Sequence, residues 1–326
     1  MRVGQGTLRS ISAASSPSVR KSEQADRTQR DRLALSSLLV SPAPYPNAKL
    51  RRVIESLSPP RLGGRAKHES ETDMRALVIS DIHSNLQALE AVLAAAPKHD
   101  MVWNLGDIVG YGANPNEVVG VARKLGGIVV RGNHDRVCSG NMKFGEFRTL
   151  NSLASFAASW TQKTLSAENT EWLTQLPRGP VRPLGRKVAC VHGSPRDEDE
   201  YMIFRRDVSA ALYRRRAWIT LCGHTHWQAG WSLKGWEATP LKPVFESSDR
   251  AEQFELKLHE GSRYLLNPGS VGQPRDRDWR AAFALYDDAR ASFTWFRVPY
   301  KVLVSQRRIR RAGLPEALAS RLRGGA

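Results

Sequence analysis

Cysteine pairs and long apolar runs are both missing from this 326-residue chain. It contains three cysteines, Cys138, Cys190 and Cys222, with no CxxC spacing, so neither a disulfide framework nor a thiolate zinc site is expected. Cys190 and Cys222 lie in apolar runs and are interpreted as buried small hydrophobic residues. No apolar run approaches the ~18 residues that cross a bilayer, so a membrane protein is not expected. A reducing compartment fits this cysteine usage, and we predict a cytoplasmic protein.

Acidic residues are also scarce, because 49 Lys and Arg stand against 32 Asp and Glu, for a net charge of +17. Such an excess is typical of proteins that bind nucleic acid or membrane surfaces. Most of it lies at the two ends: residues 1–73 hold 13 basic and 7 acidic residues, and residues 301–326 hold 7 and 1. The middle of the chain is only mildly basic, which speaks against the continuous basic groove of a nuclease. A nucleic-acid partner is therefore not expected.

Three segments differ in composition. Residues 1–73 are rich in Ser, Arg and Pro without an apolar period, and we expect either a disordered extension or an upstream stretch added by a mis-assigned start, since Met74 directly precedes the first strand. Residues 74–300 are predicted to form one catalytic domain. Residues 301–326 are predicted to form a basic helical segment packed on that domain, with Arg307, Arg308, Arg310 and Arg311 on its solvated face. Binding of an acidic partner is the alternative for this segment.

From Met74 onward, apolar runs alternate with helical patterns, which is typical of an α/β fold with parallel strands. Helices are predicted to begin after Ser84, acting as N-cap, and after Asn114, where Pro115 takes the first helical position. A longer helical stretch is predicted over about 146–176, and shorter strands and turns over 227–300. The predicted strands of the first part are 75–80, 102–105, 128–131, 187–191 and 218–222.

Five polar clusters each follow one of these predicted strands, and they contain five of the eight histidines. Loops at the carboxyl ends of strands in an α/β sheet converge on one crevice, so clusters far apart in sequence can meet. Asp, Asn and His supply oxygen and nitrogen ligands, which suit Mn²⁺, Fe, Zn²⁺, Co²⁺ or Ni²⁺. Each cluster alone is a weak signal, but five in succession predict a metal centre. They are Asp81-Ile82-His83, Gly106-Asp107, Gly132-Asn133-His134-Asp135, His192-Gly193 and Gly223-His224-Thr225-His226.

In this order, the clusters D-x-H, G-D, G-N-H-D, H and G-H-x-H resemble the calcineurin-like metallophosphoesterases, over residues 74 to about 300. The segments GDIVGYGANPNEVV and NPGSVGQPRD are most similar to the compact bacterial phosphodiesterases of the YfcE type. The resemblance implies a four-layer α-β-β-α sandwich with two central mixed sheets. It also implies two divalent ions, with Mn²⁺ the first choice, and hydrolysis of a small phosphate ester by a hydroxide that bridges the metals.

The resemblance also implies a role for each residue of the clusters. Asp81, His83 and His226 hold the first metal; Asn133, His192 and His224 hold the second; and Asp107 bridges both. His134 is not a ligand, and it is expected over the phosphoryl group, where it stabilises charge or protonates the leaving group. Asp135 is expected to orient His134 and to favour its protonated form, with a helix cap as the alternative.

Two arginines in turn-rich loops are candidates for phosphate binding: Arg196 after His192, and Arg275 after the turn at 267–270. A guanidinium can donate two hydrogen bonds to a phosphate. The alternative is that Asp197 and Asp276 neutralise these arginines at the surface. Arg275 is preferred, since Gly269 and Gly272 allow a close backbone approach to a ligand.

A phosphodiesterase is the preferred function, with a phosphomonoesterase or a dinucleoside-polyphosphate hydrolase as alternatives. A rival of another class is a metal-binding scaffold without activity. His134 separates these readings, because a scaffold has no need of a non-ligand histidine beside a complete ligand set. The sequence makes no prediction about oligomeric state.

Overall fold

The computed structural model describes residues 74–141, 152–214 and 217–326, and within them two mixed β-sheets packed between helices. The predicted extension 1–73 and the start of the predicted helix at 146 lie outside these residues. The strands are β1 Arg75–Ile79, β2 Met101–Asn104, β3 Ile128–Val129, β4 Val188–Cys190, β5 Ile219–Leu221, β6 Gln228–Lys234, β7 Glu237–Leu241, β8 Glu252–Lys257, β9 Ser262–Pro268, β10 Ala281–Asp287 and β11 Ser292–Val298. The helices are α1 Leu86–Ala95, α2 Pro115–Leu125, α3 Asn133–Cys138, α4 Ser152–Thr164, α5 Ala167–Thr174, α6 Arg205–Arg214, α7 Val302–Arg311 and α8 Glu316–Gly324.

The first sheet has six strands in the order β3-β2-β1-β10-β11-β8. β1, β2 and β3 run parallel, as the alternation of strands and helices predicts, and β10, β11 and β8 extend the sheet with antiparallel pairings. The second sheet has the order β4-β5-β9-β6-β7, parallel from β4 to β9 and antiparallel beyond. Both sheets are therefore mixed, as expected.

Alternating side chains of β1 show how the layers stack, because successive residues of a strand point to opposite faces. Ala76 and Val78 belong to a core between the two sheets, where they join Trp103 and Trp295. Leu77 and Ile79 belong to a second core that packs the other face of the first sheet against α1, α2 and α5. A third core, which includes Val208, covers the outer face of the second sheet with α6. The order helix, sheet, sheet, helix confirms the predicted four-layer sandwich.

The predicted start of the first helix is off by one residue. Ser84 has a left-handed backbone with φ 53°, and Asn85 is the N-cap, whose side chain accepts a hydrogen bond from the Ala88 N–H at 3.3 Å. Asn114 is the N-cap of α2, with Pro115 at the first helical position as predicted, although its amide donates to Glu117 Oε1 at 2.8 Å instead of capping a backbone N–H.

Two helices, α7 and α8, occupy the C-terminal segment, where one was expected. They pack on each other and on α4 through a separate apolar cluster that includes Ile309, Leu318 and Leu322. The end of α8 contacts the loop after β9, because Gly325 O accepts a hydrogen bond from the Arg277 N–H at 2.9 Å. In the described part of the chain, the helices are too short or too polar to cross a membrane. The three cysteines are unpaired and buried, which confirms the burial predicted for Cys190 and Cys222.

Candidate metal centre

The strands of the two sheets end at a common edge, and the proposed ligands lie in the loops directly after them. Asp81 and His83 follow β1, Asp107 follows β2, Asn133 follows β3, His192 follows β4, and His224 and His226 follow β5. All seven are buried, with at most 6% of their surface exposed. The structure therefore brings together clusters that are up to 145 positions apart in sequence.

Six of these residues form two groups whose donor atoms lie within 4.8 Å of one another, and both groups contain Asp107. The first is Asp81, His83, Asp107 and His226, and the second is Asp107, His192 and His224. Asn133 joins the second group, since its Oδ1 lies 3.1 Å from His192 Nε2. A carboxylate common to two adjacent groups is the arrangement needed for one oxygen to reach each of two metals.

The hydrogen bonds of His83 and His226 show which nitrogen of each ring is free to bind a metal. The Nδ1 atoms of His83 and His226 lie 3.0 and 2.5 Å from the carbonyl oxygens of Val109 and Gln273, so each Nδ1 donates and each Nε2 keeps a lone pair. These two Nε2 atoms face each other at 3.0 Å. Two lone pairs at this distance repel unless a cation or proton lies beside them. A backbone carbonyl that fixes the tautomer in this way is typical of metal-binding histidines.

His192 has the same orientation, with Nδ1 2.8 Å from Leu105 O and Nε2 3.4 Å from Asp107 Oδ2. His224 uses the other nitrogen: its Nε2 is 3.2 Å from Asp199 O, which leaves Nδ1 to bind a metal. The donor set therefore consists of carboxylate and amide oxygens and imidazole nitrogens directed at one another. This set fits two divalent cations with a preference for nitrogen and oxygen ligands.

The pKa values of the carboxylates reflect the same crowding. Burial, assisted by the charge of Asp107, raises the pKa of Asp81 to about 7. Burial alone would also raise the pKa of Asp107, but the charge of His192 and its hydrogen bond to Asp107 are the main causes that lower that pKa well below the usual range. Burial opposes protonation of His192, yet Asp107 and Asp81 raise its pKa to about 10. A proton at His192 thus partly compensates two buried carboxylates, as a bound cation would.

Burial keeps the other histidines of the site neutral, which is the form that binds a metal. It lowers the pKa of His224 to about 3 and holds those of His83 and His226 well below the usual range.

Backbone strain is concentrated in the same loops. Asp81, His83, Asp107, His224 and His226 have φ between 47° and 66°, a region that residues other than glycine seldom adopt. Strained backbone of this kind clusters at functional sites, where the surrounding structure holds it.

Two motif glycines allow the ligand loops to approach each other. A Cβ at position 132 would lie 2.1 Å from Asp107 Oδ1, and one at position 223 would lie 1.9 Å from Ser80 Oγ. A side chain at either position would push apart loops that must carry ligands at short range, which accounts for the glycines of G-N-H-D and G-H-x-H.

His134 lies beside the ligands, and Asp107 Oδ1 accepts a hydrogen bond from its backbone N–H at 2.8 Å. Its ring centroid is 4.9 Å from that of His83 and 4.5 Å from that of Tyr111. Burial lowers the pKa of His134 to about 4, which favours the neutral ring. A protonated His134 oriented by Asp135 stays a prediction.

The carboxylate of Asp135 accepts hydrogen bonds from the backbone, namely from the N–H groups of Gly132, Ile108 and Val109 at 3.0, 2.9 and 3.2 Å. It thereby ties the loop after β2 to the loop after β3. Asp135 therefore acts on the position of His134 through the backbone that carries both Asp107 and His134.

An open cavity of about 350 Å³ leads to the ligands. Arg275 lines it, and its Nη2 donates hydrogen bonds to Tyr111 Oη at 3.3 Å and to Gln273 Oε1 at 3.1 Å. The other lining residues are Asp107, Tyr111, Asn133, His134, Ala154, Asp199, Tyr201, His224, His226, Arg321 and Ala326.

Arg196, the second candidate for phosphate binding, does not line this cavity. Its guanidinium pairs with Glu200 at 3.0 Å, and 46% of its side chain is exposed. Neither expected neutralising pair forms: Asp276 pairs with Arg297, and the partner of Arg196 is Glu200 instead of Asp197. The loop after His192 turns its arginine away, because Ser194 Oγ accepts the N–H groups of Arg196 and Asp197 in a tight turn.

The cavity residues that were not singled out from the sequence include Tyr111, Tyr201 and Arg321. Tyr111 had a usable signal, an aromatic residue between Gly110 and Gly112 in the loop after β2. A Cβ at Gly110 would lie 2.5 Å from His134 Nδ1, so this glycine makes room for the ring. Tyr201 lies against His224, with ring centroids 4.1 Å apart and the ring planes tilted by 34°. Arg321 lies on α8, and no pattern in its surroundings connects it with the clusters.

The fold and the buried donor set define an α/β protein with a candidate dinuclear metal centre at the edge where two mixed sheets meet. A family model described as "Calcineurin-like phosphoesterase superfamily domain" matches residues 74–289. The chain belongs to this superfamily. The narrower likeness to phosphodiesterases of the YfcE type stays a prediction.

Relatives agree with this assignment. The uncharacterized protein MJ0912 of Methanocaldococcus jannaschii is 34% identical over 248 residues, which cover 75% of this chain and 96% of the relative. A crystal structure of a metallophosphoesterase from Sphaerobacter thermophilus is 39% identical, with a TM-score of 0.67, over 78% of this chain and 99% of that one. The hypothetical protein PH1004 of Pyrococcus horikoshii shares the fold at 19% identity and a TM-score of 0.59, over 77% of this chain and 98% of that one.

Proposed function

We propose that this protein is a phosphoesterase that uses two divalent metal ions, held by Asp81, His83, Asp107 and His226 on one side and by Asp107, Asn133, His192 and His224 on the other. The observation that carries the proposal is the position of Asp107 in both groups of donor atoms, beside a cavity that also exposes His134. Two bound divalent ions would supply an activated water nucleophile and would clamp the attacking and leaving oxygens of an in-line displacement.

The remaining chemistry falls to side chains of the cavity. His134 is neutral and can donate one hydrogen bond to an oxygen of the phosphoryl group, where negative charge increases in the transition state. Arg275 can turn part of its fork from Tyr111 and Gln273 toward a second phosphoryl oxygen. Asp135 is a positioning residue, since its carboxylate holds the backbone on either side of the site.

Mn²⁺ is the metal we expect first, with Fe, Zn²⁺, Co²⁺ or Ni²⁺ as alternatives, because the donor set of carboxylate, amide and imidazole accepts all of them. We expect the substrate to be a small phosphodiester, and the support is the likeness of two loop segments to compact bacterial phosphodiesterases. A cavity of about 350 Å³ suits a small ester. A phosphomonoester and a dinucleoside polyphosphate are the alternatives, and a cytoplasmic location is part of the same proposal.

The test is a panel of an aryl phosphodiester, an aryl phosphomonoester and a dinucleoside polyphosphate, assayed with each metal in turn on protein of measured metal content. We expect the highest kcat/KM on the diester with Mn²⁺. Protein that holds two metals per chain and hydrolyses none of the substrates would favour the rival reading of an inactive metal-binding scaffold. Asp107→Asn serves as the metal-deficient control.

A further inference from the structure

The cavity beside the candidate metal centre holds two guanidinium groups that come from distant parts of the chain. Arg275 lies in the loop after β9 and Arg321 on helix α8, and both line the cavity that contains Asp107 and His134. Both lie over the ring of Tyr111, with Cζ 5.6 Å from its centroid for Arg275 and 5.9 Å for Arg321. Two cations beside one aromatic ring form a local excess of positive charge.

Elsewhere in the protein, arginines with little exposed surface are matched by carboxylates. Arg136 pairs with Glu198 and Asp199, and Arg280 pairs with Asp278 and Glu252. Among the described residues, by contrast, no carboxylate lies within 4.0 Å of the guanidinium of Arg275 or Arg321. Burial and then the charge of Arg275 lower the pKa of Arg321, as expected for two neighbouring cations without a shared anion.

Nearby carboxylates are already committed. Asp199, which lines the same cavity, pairs with Arg136, and Asp276, next to Arg275, pairs with Arg297. Asp107 and Ala326 also line the cavity, but no ion pair joins Arg275 or Arg321 to a described carboxylate, so both guanidiniums can pair with an anionic ligand. Arginine is well suited to that task, because its planar fork can donate two parallel hydrogen bonds to a phosphate group.

We propose that Arg321, together with Arg275, forms an anion subsite that binds a second phosphate or comparable anionic group of the substrate. The inference rests on the proposed phosphoesterase function and narrows its substrate to a phosphoester that carries two anionic groups. Arg275 comes two residues after Gln273, whose carbonyl oxygen accepts the hydrogen bond of the ligand His226, and it is placed to reach the phosphoryl group at the metals. Arg321 approaches from α8 and is placed to reach the second group.

The charge balance of the site supports a substrate with two anionic groups, one for Arg275 and one for Arg321. The proposed ligand set contains two carboxylates, Asp81 and Asp107, so two divalent cations would leave a net positive charge before either guanidinium is counted. With a metal-bound hydroxide counted, a phosphodiester with one negative charge balances the two metals and their ligands but leaves the charge of the two guanidiniums uncompensated. A substrate with a second anionic group compensates it better, and such complementarity is a source of specificity.

The loop at 275–278 holds both arginines in place. Arg275 belongs to it, and the end of α8 is fixed to it by the hydrogen bond from the Arg277 N–H to Gly325 O. A Cβ at Gly325 would lie 2.6 Å from Asp278 N, so the contact is close. The backbone contact between this loop and the end of α8 therefore keeps the segments that carry Arg275 and Arg321 close to each other.

Binding calorimetry on the Mn²⁺-loaded protein tests the proposal without requiring turnover. The probes are inorganic phosphate and methylenediphosphonate, which carry one and two phosphoryl-type groups, with Mn²⁺ in excess on both sides of the titration. We expect the wild type to bind the diphosphonate more tightly than phosphate. Arg321→Met should weaken binding of the diphosphonate by about tenfold or more and that of phosphate by less than about threefold, since a charge-assisted contact is lost only to the second group.

Arg323→Met is the matched control, because Arg323 lies on the same helix, is exposed and does not line the cavity. Arg321→Lys, which keeps the charge and loses the fork, should give an intermediate affinity, and it also covers the case in which the methionine variant folds poorly.

Unchanged affinity for the diphosphonate in Arg321→Met would overturn the proposal. Equal weakening for both probes would also overturn it, because Arg321 would then bind the first phosphoryl group. If Arg323→Met weakens diphosphonate binding as much as Arg321→Met does, the proposal is also overturned, because the loss of any positive charge on this helix would then explain the result. If the binding difference is found but no phosphoester is hydrolysed, the proposed function fails and the anion subsite stands.

Discussion

The loops of the six-stranded sheet and those of the five-stranded sheet contribute different atoms to the candidate metal centre. The first sheet provides both carboxylates, the Asn133 amide and one imidazole, and the second sheet provides three imidazoles. Neither sheet alone carries either group of donor atoms: His226 completes the first group from the second sheet, and Asp107 completes the second group from the first sheet. The centre is therefore a product of sheet-on-sheet packing, and metal binding and sheet packing should be coupled.

A substitution at the residue common to both groups is expected to have the largest effect. Asp107→Asn removes a buried charge that both groups contain, so we expect metal content to fall well below two per chain, and kcat to fall by roughly 10³-fold or more, as expected when several kcal/mol of transition-state stabilisation are lost. Elemental analysis of the purified variant and a kinetic assay measure both. Full metal content in Asp107→Asn would contradict the bridging role.

Substitutions within one sheet should affect one metal each. His226→Gln removes a donor from the first group only, and His192→Gln removes a donor from the second group only. We expect about one metal per chain in each variant and loss of both metals in the double variant, measured by elemental analysis after dialysis. If either single variant loses both metals, the two groups of donor atoms do not bind their metals independently.

Substitution of His134 is expected to have a smaller effect than loss of a metal ligand, because His134 should act on turnover and not on metal binding. His134→Gln should lower kcat by about 10²–10⁴-fold, the range typical for loss of a positioned hydrogen-bonding or proton-transferring side chain. Metal content should stay at the wild-type value. If the variant keeps a normal kcat, His134 takes no part in the reaction. If its metal content falls, His134 acts by holding Asn133 and the metal site in place.

Alanine substitutions of Arg275 and Arg196 are expected to have the smallest effects, and the two variants serve as controls for each other. Arg275→Ala should raise KM for a phosphodiester by about tenfold, the equivalent of one hydrogen bond to a charged group, with unchanged metal content. Arg196→Ala should leave KM within the error of the wild type, because its guanidinium pairs with Glu200 outside the cavity. Equal effects of the two substitutions would show that the structure has not separated them correctly.

The candidate ligand residues were predictable because their signals are local. Each cluster directly follows an apolar strand, and the carboxyl ends of parallel strands meet at one edge of a sheet. The glycines at 132 and 223 were visible as parts of motifs. The reason for them was not visible, namely that a Cβ at either position would lie about 2 Å from an atom of another loop. The predicted α/β class and four layers are likewise confirmed. The start of the first helix was missed by one residue, because Ser84 and Asn85 are both good N-cap residues and the pattern does not separate them.

Residue types and order by themselves determined the donor chemistry, the family and the loops that carry the ligands. The sequence favoured Arg275 over Arg196 because of the neighbouring glycines, but only the tertiary structure shows that Arg275 lines the cavity and Arg196 does not. The same holds for Tyr111, Arg321 and the hydrogen bonds of Asp135, which depend on contacts between elements far apart in the chain. Local patterns carry information about secondary structure and loop position, whereas the direction of a long side chain depends on the partners that packing brings beside it.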